Sequence, residues 1–277
     1  MAYQTEIKSF KMKITALSSC CVDFFPEENK VYIGGNSLNF ATQCKLSGID
    51  NVSVMGAVGN DKFGGLIEQH LDKCKIDRTH LYRIDAPTAS NKIFISDKGD
   101  RYFKEDSWNG GAFDIFRLSE NDWKYIEDST IVAMPAGDPN LKELLKRRNK
   151  NQSIVIDFLD YFSLYHIEKL IDEIDIVFLS AKEEILDELK KLSLKSGKMI
   201  VATIGAKGSV AYWNNNTYSH RAIEVNKIID TTGCGDSFQA AFTIEWYKSK
   251  DINKALNAGS VAASKVLGFM GGVEQTD

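Results

Sequence analysis

The sequence predicts an α/β fold, a central and mainly parallel sheet flanked by helices, with a small β-sheet set into the chain as a lid. Three observations carry this. Short apolar, β-branched runs at 130–134, 153–157, 174–179 and 199–203 alternate with helical patterns, which implies parallel strands joined by right-handed helical crossovers. No fixed-period repeat or low-complexity linker divides the chain, so 1–277 reads as one domain. Residues 83–111 have a different character: 92–96 and 101–104 flank Asp97-Lys98-Gly99-Asp100, a hairpin signal. With 30–34 this stretch forms the expected lid, the other reading being an edge hairpin of the main sheet.

Taken in order, 11–18 reads as the first strand and Cys20-Cys21-Val22-Asp23-Phe24-Phe25-Pro26 as its exit loop. Asp23 then lies past the end of a parallel strand, where open α/β sheets bind ligands, although a turn-forming Asp fits there equally. A short strand at 31–33 enters Gly34-Gly35-Asn36-Ser37-Leu38-Asn39 and a helix that stops at Gly48. The paired glycines permit a hinge and close approach to a ligand. Asn36 or Ser37 suits a helix cap; Asn39 lies beyond it and is a ligand candidate. The strand 52–56, the turn Gly59-Asn60-Asp61 and the helix 63–71 read as scaffold.

Ser119-Glu120-Asn121-Asp122 has the capping Ser and early acids of a helix start. The segment 139–148 begins with Pro and ends in Lys146-Arg147-Arg148, a solvated basic helix end. Helical patterns at 165–172 and 182–194 separate the later strands. Thr203-Ile204-Gly205-Ala206-Lys207-Gly208 joins 199–203 to a strand at 210–213, and its glycines fit either a simple hairpin turn or a nucleotide contact. The last helical pattern, 252–266, is rich in small residues, which suits close packing first and room for a flat ligand second.

Between these lies Asp230-Thr231-Thr232-Gly233-Cys234-Gly235-Asp236, followed by a helical run from Gln239. Glycines at a helix start let backbone N–H groups converge on an anion. Asp236 among those donors would repel an anion unless it takes a proton from an attacking hydroxyl; as plain structure it complements the helix dipole.

Bulk properties exclude several classes. With 43% hydrophobic and 26% charged residues and a net charge of −4, the 277-residue chain suits a globular enzyme and lacks the footprint of a nucleic-acid or anionic-membrane binder. No apolar run approaches transmembrane length, and 1–9 lacks a signal-peptide core. Five cysteines without C-x-x-C spacing and four scattered histidines argue for neither a disulfide framework nor a zinc site. A reduced, cytoplasmic protein is the expectation.

Among phosphate-binding patterns, a Walker A loop is absent, since Gly197-Lys198 is followed by Met199, and so is the protein-kinase set. A dinucleotide fingerprint fails at Phe238 and at its place near the chain end. Gly34-Gly35 with Asn39, then 203–208, then 230–236 instead resemble the ribokinase-like (PfkB) carbohydrate kinases over essentially the whole chain. The resemblance implies a ribokinase-like fold, ATP and Mg2+, and a sugar acceptor. It implies Asp236 as catalytic base, with the N–H groups of Gly233, Cys234, Gly235 and Asp236 as anion hole. Asp23, Gly34, Gly35 and Asn39 would hold the sugar, and Thr203, Gly205, Gly208 and Asn257 would lie near the nucleotide. A monovalent cation, K+, near Asp230 and Thr232 and a homodimer through the lid are further implied.

Two departures stand out. Cys234 replaces the family's common Ala, and the family's N-x-x-E is Ser180-Ala181-Lys182-Glu183, so Glu183 remains to meet Mg2+ through water while Ser180 replaces the Asn. Cys21 to Pro26, Lys30, Gly34-Gly35-Asn36 and Asp100-Arg101-Tyr102-Phe103 resemble the fructosamine branch, whose members phosphorylate C6 of an amino acid–sugar adduct such as fructoselysine; Arg101 joins the substrate residues on that ground. Fructose, ribose or a nucleoside are the alternative acceptors. A sensor that kept the fold but lost the chemistry, favoured only by Ser180, and a nicotinamide-dependent oxidoreductase are the readings of another class.

Overall fold

The computed structural model describes residues 12–95, 101–160 and 162–274. A nine-stranded sheet runs in the order Asn216–His220, Ser209–Trp213, Met199–Thr203, Ile176–Ser180, Ser153–Asp157, Ile131–Pro135, Lys13–Leu17, Asn51–Gly59, Leu81–Ile84. From Met199–Thr203 onward every pairing is parallel, and the two strands at the other edge are antiparallel. Successive strands are added to one side of Lys13–Leu17 up to Leu81–Ile84 and to its other side from Ile131–Pro135 onward, the kind of switch point at which open sheets bind ligands beyond their C-terminal strand ends.

The central strands are buried on both faces, as near-continuous β-branched runs require. Ile154, Val155 and Ile156 are each fully buried. Val155 belongs to one apolar cluster and its two neighbours to the other, so the sheet separates two cores. The first core is closed by the helices Asn36–Leu46, Cys234–Ser249 and Ile252–Val266. Within it Phe242 packs edge-on to Phe178 at 5.4 Å, a pair whose truncation to Ala costs about 3–5 kcal/mol. The second lies under Glu120–Glu127, Leu141–Arg147 and Leu186–Ser196. Ser119 forms the expected capping box with Asp122. A Cβ on Gly259 would lie 2.7 Å from the Phe238 ring, so this glycine of 252–266 serves close helix packing.

The four-stranded second sheet has the order Lys30–Gly34, Cys21–Phe25, Ser90–Lys92, Trp108–Asn109. This corrects the sequence reading of 20–26 as an exit loop. The segment is apolar except for Asp23, and the tight turn at 26–29, with Asn29 at φ 51°, folds it back onto Lys30–Gly34. Arg83 and Ile84, expected in the small sheet, lie in the edge strand Leu81–Ile84 of the large one, paired with Val58 and Gly59. Phe94–Ile95 and Arg101–Tyr102 pair antiparallel as a separate hairpin ladder; the turn residues 97–100 lie outside the described residues.

Candidate active site

The helix Cys234–Ser249 begins at Gly233, whose φ of 76° is left-handed and whose missing Cβ leaves room for Gly272, 2.5 Å from where that atom would stand. Asp230 fixes the loop leading in. Buried to 1% exposure, it accepts Thr232 N–H at 2.9 Å and Thr232 Oγ1–H at 2.8 Å on one oxygen, and Gly271 N–H at 2.9 Å on the other. Three donors compensate the buried charge. Asp230 and Thr232 thus bond each other and the C-terminal segment, and among the described residues no cluster of three or more His, Cys, Asp or Glu side chains is arranged to hold a metal ion.

The first i to i−4 bond of the helix is Ser237 N–H to Gly233 O at 2.9 Å, so the N–H groups of Gly233 and Gly235 precede the intrahelical ladder. Cys234 N–H donates to Thr231 O at 3.3 Å, a turn bond, and its thiol leans to Ala263 O at 3.6 Å. A Cβ on Gly235 would meet open space. That space is a cleft of about 1010 Å3 which Gly233, Cys234, Gly235 and Asp236 line.

Three strand ends form the cleft's floor: Asp157, Ser180 and Thr203. Ser180 Oγ and Thr203 Oγ1 are 3.2 Å apart. Gly205, Lys207 and Gly208 line the same cleft; Gly208 has φ 104°, and a Cβ there would lie 2.0 Å from His220 O. Glu183 forms an exposed ion pair with the cleft residue Lys207. Asn257, one of the expected nucleotide residues, is exposed and does not border the cleft; Ser260, Ala263 and Ser264 of its helix do.

On the other side of Asp236 stands the helix Asn36–Leu46. Asn39 Nδ2 donates to Asp236 Oδ2 at 2.7 Å, and Asn36 Nδ2 donates both to Asp236 Oδ1 at 2.7 Å and to Asp157 Oδ2 at 2.8 Å. Asn39 is 3% exposed, and its Oδ1 is a buried acceptor without a partner. Gly35 precedes the helix at φ 104°, with Ser19 O 2.5 Å from the position of a Cβ. A Cβ on Gly34 would lie 2.4 Å from an Asp23 carboxylate oxygen, so a side chain there would displace that carboxylate. Asp23, Gly34, Gly35 and Asn39 thus gather with Asp236 beside the small sheet. The side chain of Arg101 lies outside the described residues.

Electrostatics follow burial. Desolvation first, and then the Asp236 carboxylate, push the Asp157 carboxyl up to about 7, against hydrogen bonds from Leu159 N–H and Asn36 that favour its charge. Burial raises the Cys21 thiol well above its ordinary value, and the charges of Asp23, Cys20 and Asp236 add to that rise.

Two members of this constellation were not legible as such. Asn36 suited a cap, yet no side chain caps its helix; its amide bridges two carboxylates instead. Asp157 read only as the end of a strand, although an acid at the C-terminal end of a parallel strand was the available signal.

A family model described as "pfkB family carbohydrate kinase" matches residues 22–276. The chain is 28% identical over 263 residues to a fructoselysine 6-kinase of Escherichia coli K12, covering 93% of this chain and 98% of that one. It is 26% identical over 266 residues to the fructosamine kinase FrlD of Bacillus subtilis, covering 94% and 92%. Its fold is similar to that of an Arabidopsis thaliana ribokinase structure with ribose and ATP, with a TM-score of 0.78 at 20% identity over 94% of each chain. Fold, motif order and family match agree, and the chain belongs to the pfkB family of carbohydrate kinases.

Proposed function

We propose that the chain transfers the γ-phosphoryl group of ATP to the C6 hydroxyl of a fructosamine such as fructoselysine, with Asp236 receiving the hydroxyl proton. The observation that carries this is the position of Asp236: it lines the 1010 Å3 cleft on one side and accepts from Asn36 and Asn39 on the other. A carboxylate between two compartments suits a base between donor and acceptor.

The cleft suits a nucleotide. It is lined by the Gly205 and Gly208 turn and by the start of a helix where Gly235 leaves the backbone bare. The first-turn N–H groups face charge that builds on a transferring phosphoryl group. Mg2+ bound with the nucleotide would neutralise phosphate charge, and Glu183, paired with Lys207 at the cleft's edge, is the residue to meet it through water. On the acceptor side, the partnerless Asn39 Oδ1 suits a sugar hydroxyl donor, which would remove a buried unsatisfied acceptor worth about 1–3 kcal/mol. Asp23 beside Gly34 supplies a second acceptor for hydroxyls. The small sheet then serves as a lid over the sugar.

The fructosamine assignment draws on the similarity to the fructoselysine and fructosamine kinases. A coupled ADP-release assay with fructoselysine, fructose, ribose and nucleosides tests it; fructoselysine should be turned over best. Turnover of another sugar with fructoselysine inert rejects the branch and keeps the kinase. Asp236→Asn should lower kcat at least a thousandfold with an unchanged melting temperature, and near-normal turnover would remove Asp236 from the role of base.

A further inference from the structure

The small sheet carries a row of side chains whose register fixes what they face. Tyr32 is paired with Asp23, Asp23 with Asn91, and Asn91 with Trp108, across four strands. Residues directly paired in a sheet project from the same face, so these four stand side by side. Residues two positions away share that face, which adds Gly34 and Cys21, the pair beneath Tyr32 and Asp23. The face is turned to the active site: Cys21 feels the charges of both Asp23 and Asp236, and Tyr32 meets Gly271, next to the Gly272 that abuts Asn39.

Trp108 closes the row at the sheet's edge. It is 44% exposed, with its ring edge-on to Phe113 at 5.8 Å, and Phe113 clusters with Cys21 and Ala89 on the inner part of the same face. The indole is thus propped from behind while much of it stays open. Strands lie about 4.8 Å apart, so two intervals set Trp108 roughly 10 Å from Asp23 along the row. This is farther than one sugar ring reaches from the carboxylate that holds its hydroxyls.

We propose that Trp108 is the platform for the part of the acceptor beyond the phosphorylated sugar, with Asn91 between the two parts, so that this enzyme selects acceptors carrying an arm over bare sugars. The proposal rests on the sugar-kinase reading with Asp236 as base and Asp23 on the sugar. An aliphatic arm gains apolar contact against the indole, and an arm ending in an ammonium gains cation–π attraction as well. In fructoselysine the lysine's methylene chain supplies the first and its α-ammonium the second.

Steady-state kinetics of the wild type, Trp108→Ala and Trp108→Phe on paired acceptors test this. Fructoselysine is compared with fructose, and adenosine with ribose. Trp108→Ala should raise KM for the armed member roughly tenfold, change KM for the bare sugar less than about twofold, and leave kcat alone; Trp108→Phe should recover most of the loss. A wild type that ignores fructoselysine but accepts a nucleoside defeats the fructosamine reading, and the same selective KM rise on that nucleoside still supports the platform. An equal effect on both members of a pair, no effect, or a wild type that prefers bare sugars overturns it.

Discussion

Replacing Asp157 by Asn should make the protein more stable at alkaline than at acidic pH relative to wild type. Asp157 is 7% exposed, and burial with the neighbouring Asp236 lifts its carboxyl from 3.8 to about 7. Between these values the folded chain holds a proton that the unfolded chain has lost, so stability falls as pH rises from about 4 to 7. Above pH 7 the penalty is complete, about 3 units at 1.36 kcal/mol each, or roughly 4 kcal/mol. The amide escapes it but gives Asn36 Nδ2 a poorer partner, a loss of about 1.5–3 kcal/mol for a hydrogen bond to a charged group. That loss bears little on the pH difference. Between pH 5 and pH 7 the wild type loses a further 2 units, about 2.7 kcal/mol, that Asp157→Asn keeps. Urea titrations at pH 5 and pH 8 measure the two stabilities, and the variant's advantage should grow by about 2–3 kcal/mol between them. Parallel pH dependences for the two proteins would refute the buried-carboxylate reasoning, as would a variant that loses ground at pH 8.

Asn36→Ala removes the donor shared by Asp157 and Asp236; it should lower kcat about 10- to 100-fold, or roughly 1.4–2.7 kcal/mol in the barrier, with a smaller change in KM for the acceptor, measured by steady-state kinetics. Gly233→Ala places a Cβ against Gly272 at a left-handed φ; thermal melting should show a loss of at least about 1–3 kcal/mol, with kcat falling too because the helix start moves.

The parallel core was legible because its physics is local: β-branched runs flanked by turn residues at 153–157 and 199–203 give the observed strands residue for residue. The helix 252–266 was legible for the same reason of period. The misread segments depend on partners elsewhere. Cys21–Phe25 looks like a loop beside Pro26 until Lys30–Gly34 and Ser90–Lys92 bracket it, and Leu81–Ile84 has no periodicity to separate it from the small sheet. In the site, glycines announced themselves, since backbone shape is written in residue type. Asn36 and Asp157 did not, because their pairing spans 121 residues and nothing local marks it. Asn257 is not among the residues that line the cleft, whereas Ser260, Ala263 and Ser264 of its helix are, and Gly259 of the same helix packs on Phe238.

The two helices at the site explain how one carboxylate is held without a rigid cage. Asn36 and Asn39 are three residues apart, which sets them on one face of the helix Asn36–Leu46. Asp236 lies in the first turn of the helix Cys234–Ser249, and the two helices pack against each other along their lengths. Each amide reaches one oxygen of Asp236, so the plane of the carboxylate is set by the mutual position of two helix starts. That position is set in turn by side chains that do not line the cleft, Leu38, Phe40 and Phe242 among them, all in one apolar cluster. Both helices are buried over much of their circumference, Ser37 to Thr42 and Cys44 in one and Ser237 to Ile244 in the other. Their packing is therefore part of the geometry of the proposed base: Phe242→Leu, which does not line the cleft, should lower kcat several-fold while leaving acceptor KM near its wild-type value. Steady-state kinetics decide the point, and an unaltered kcat in a variant whose melting temperature has dropped would mean that the two asparagines hold Asp236 whatever the helices behind them do.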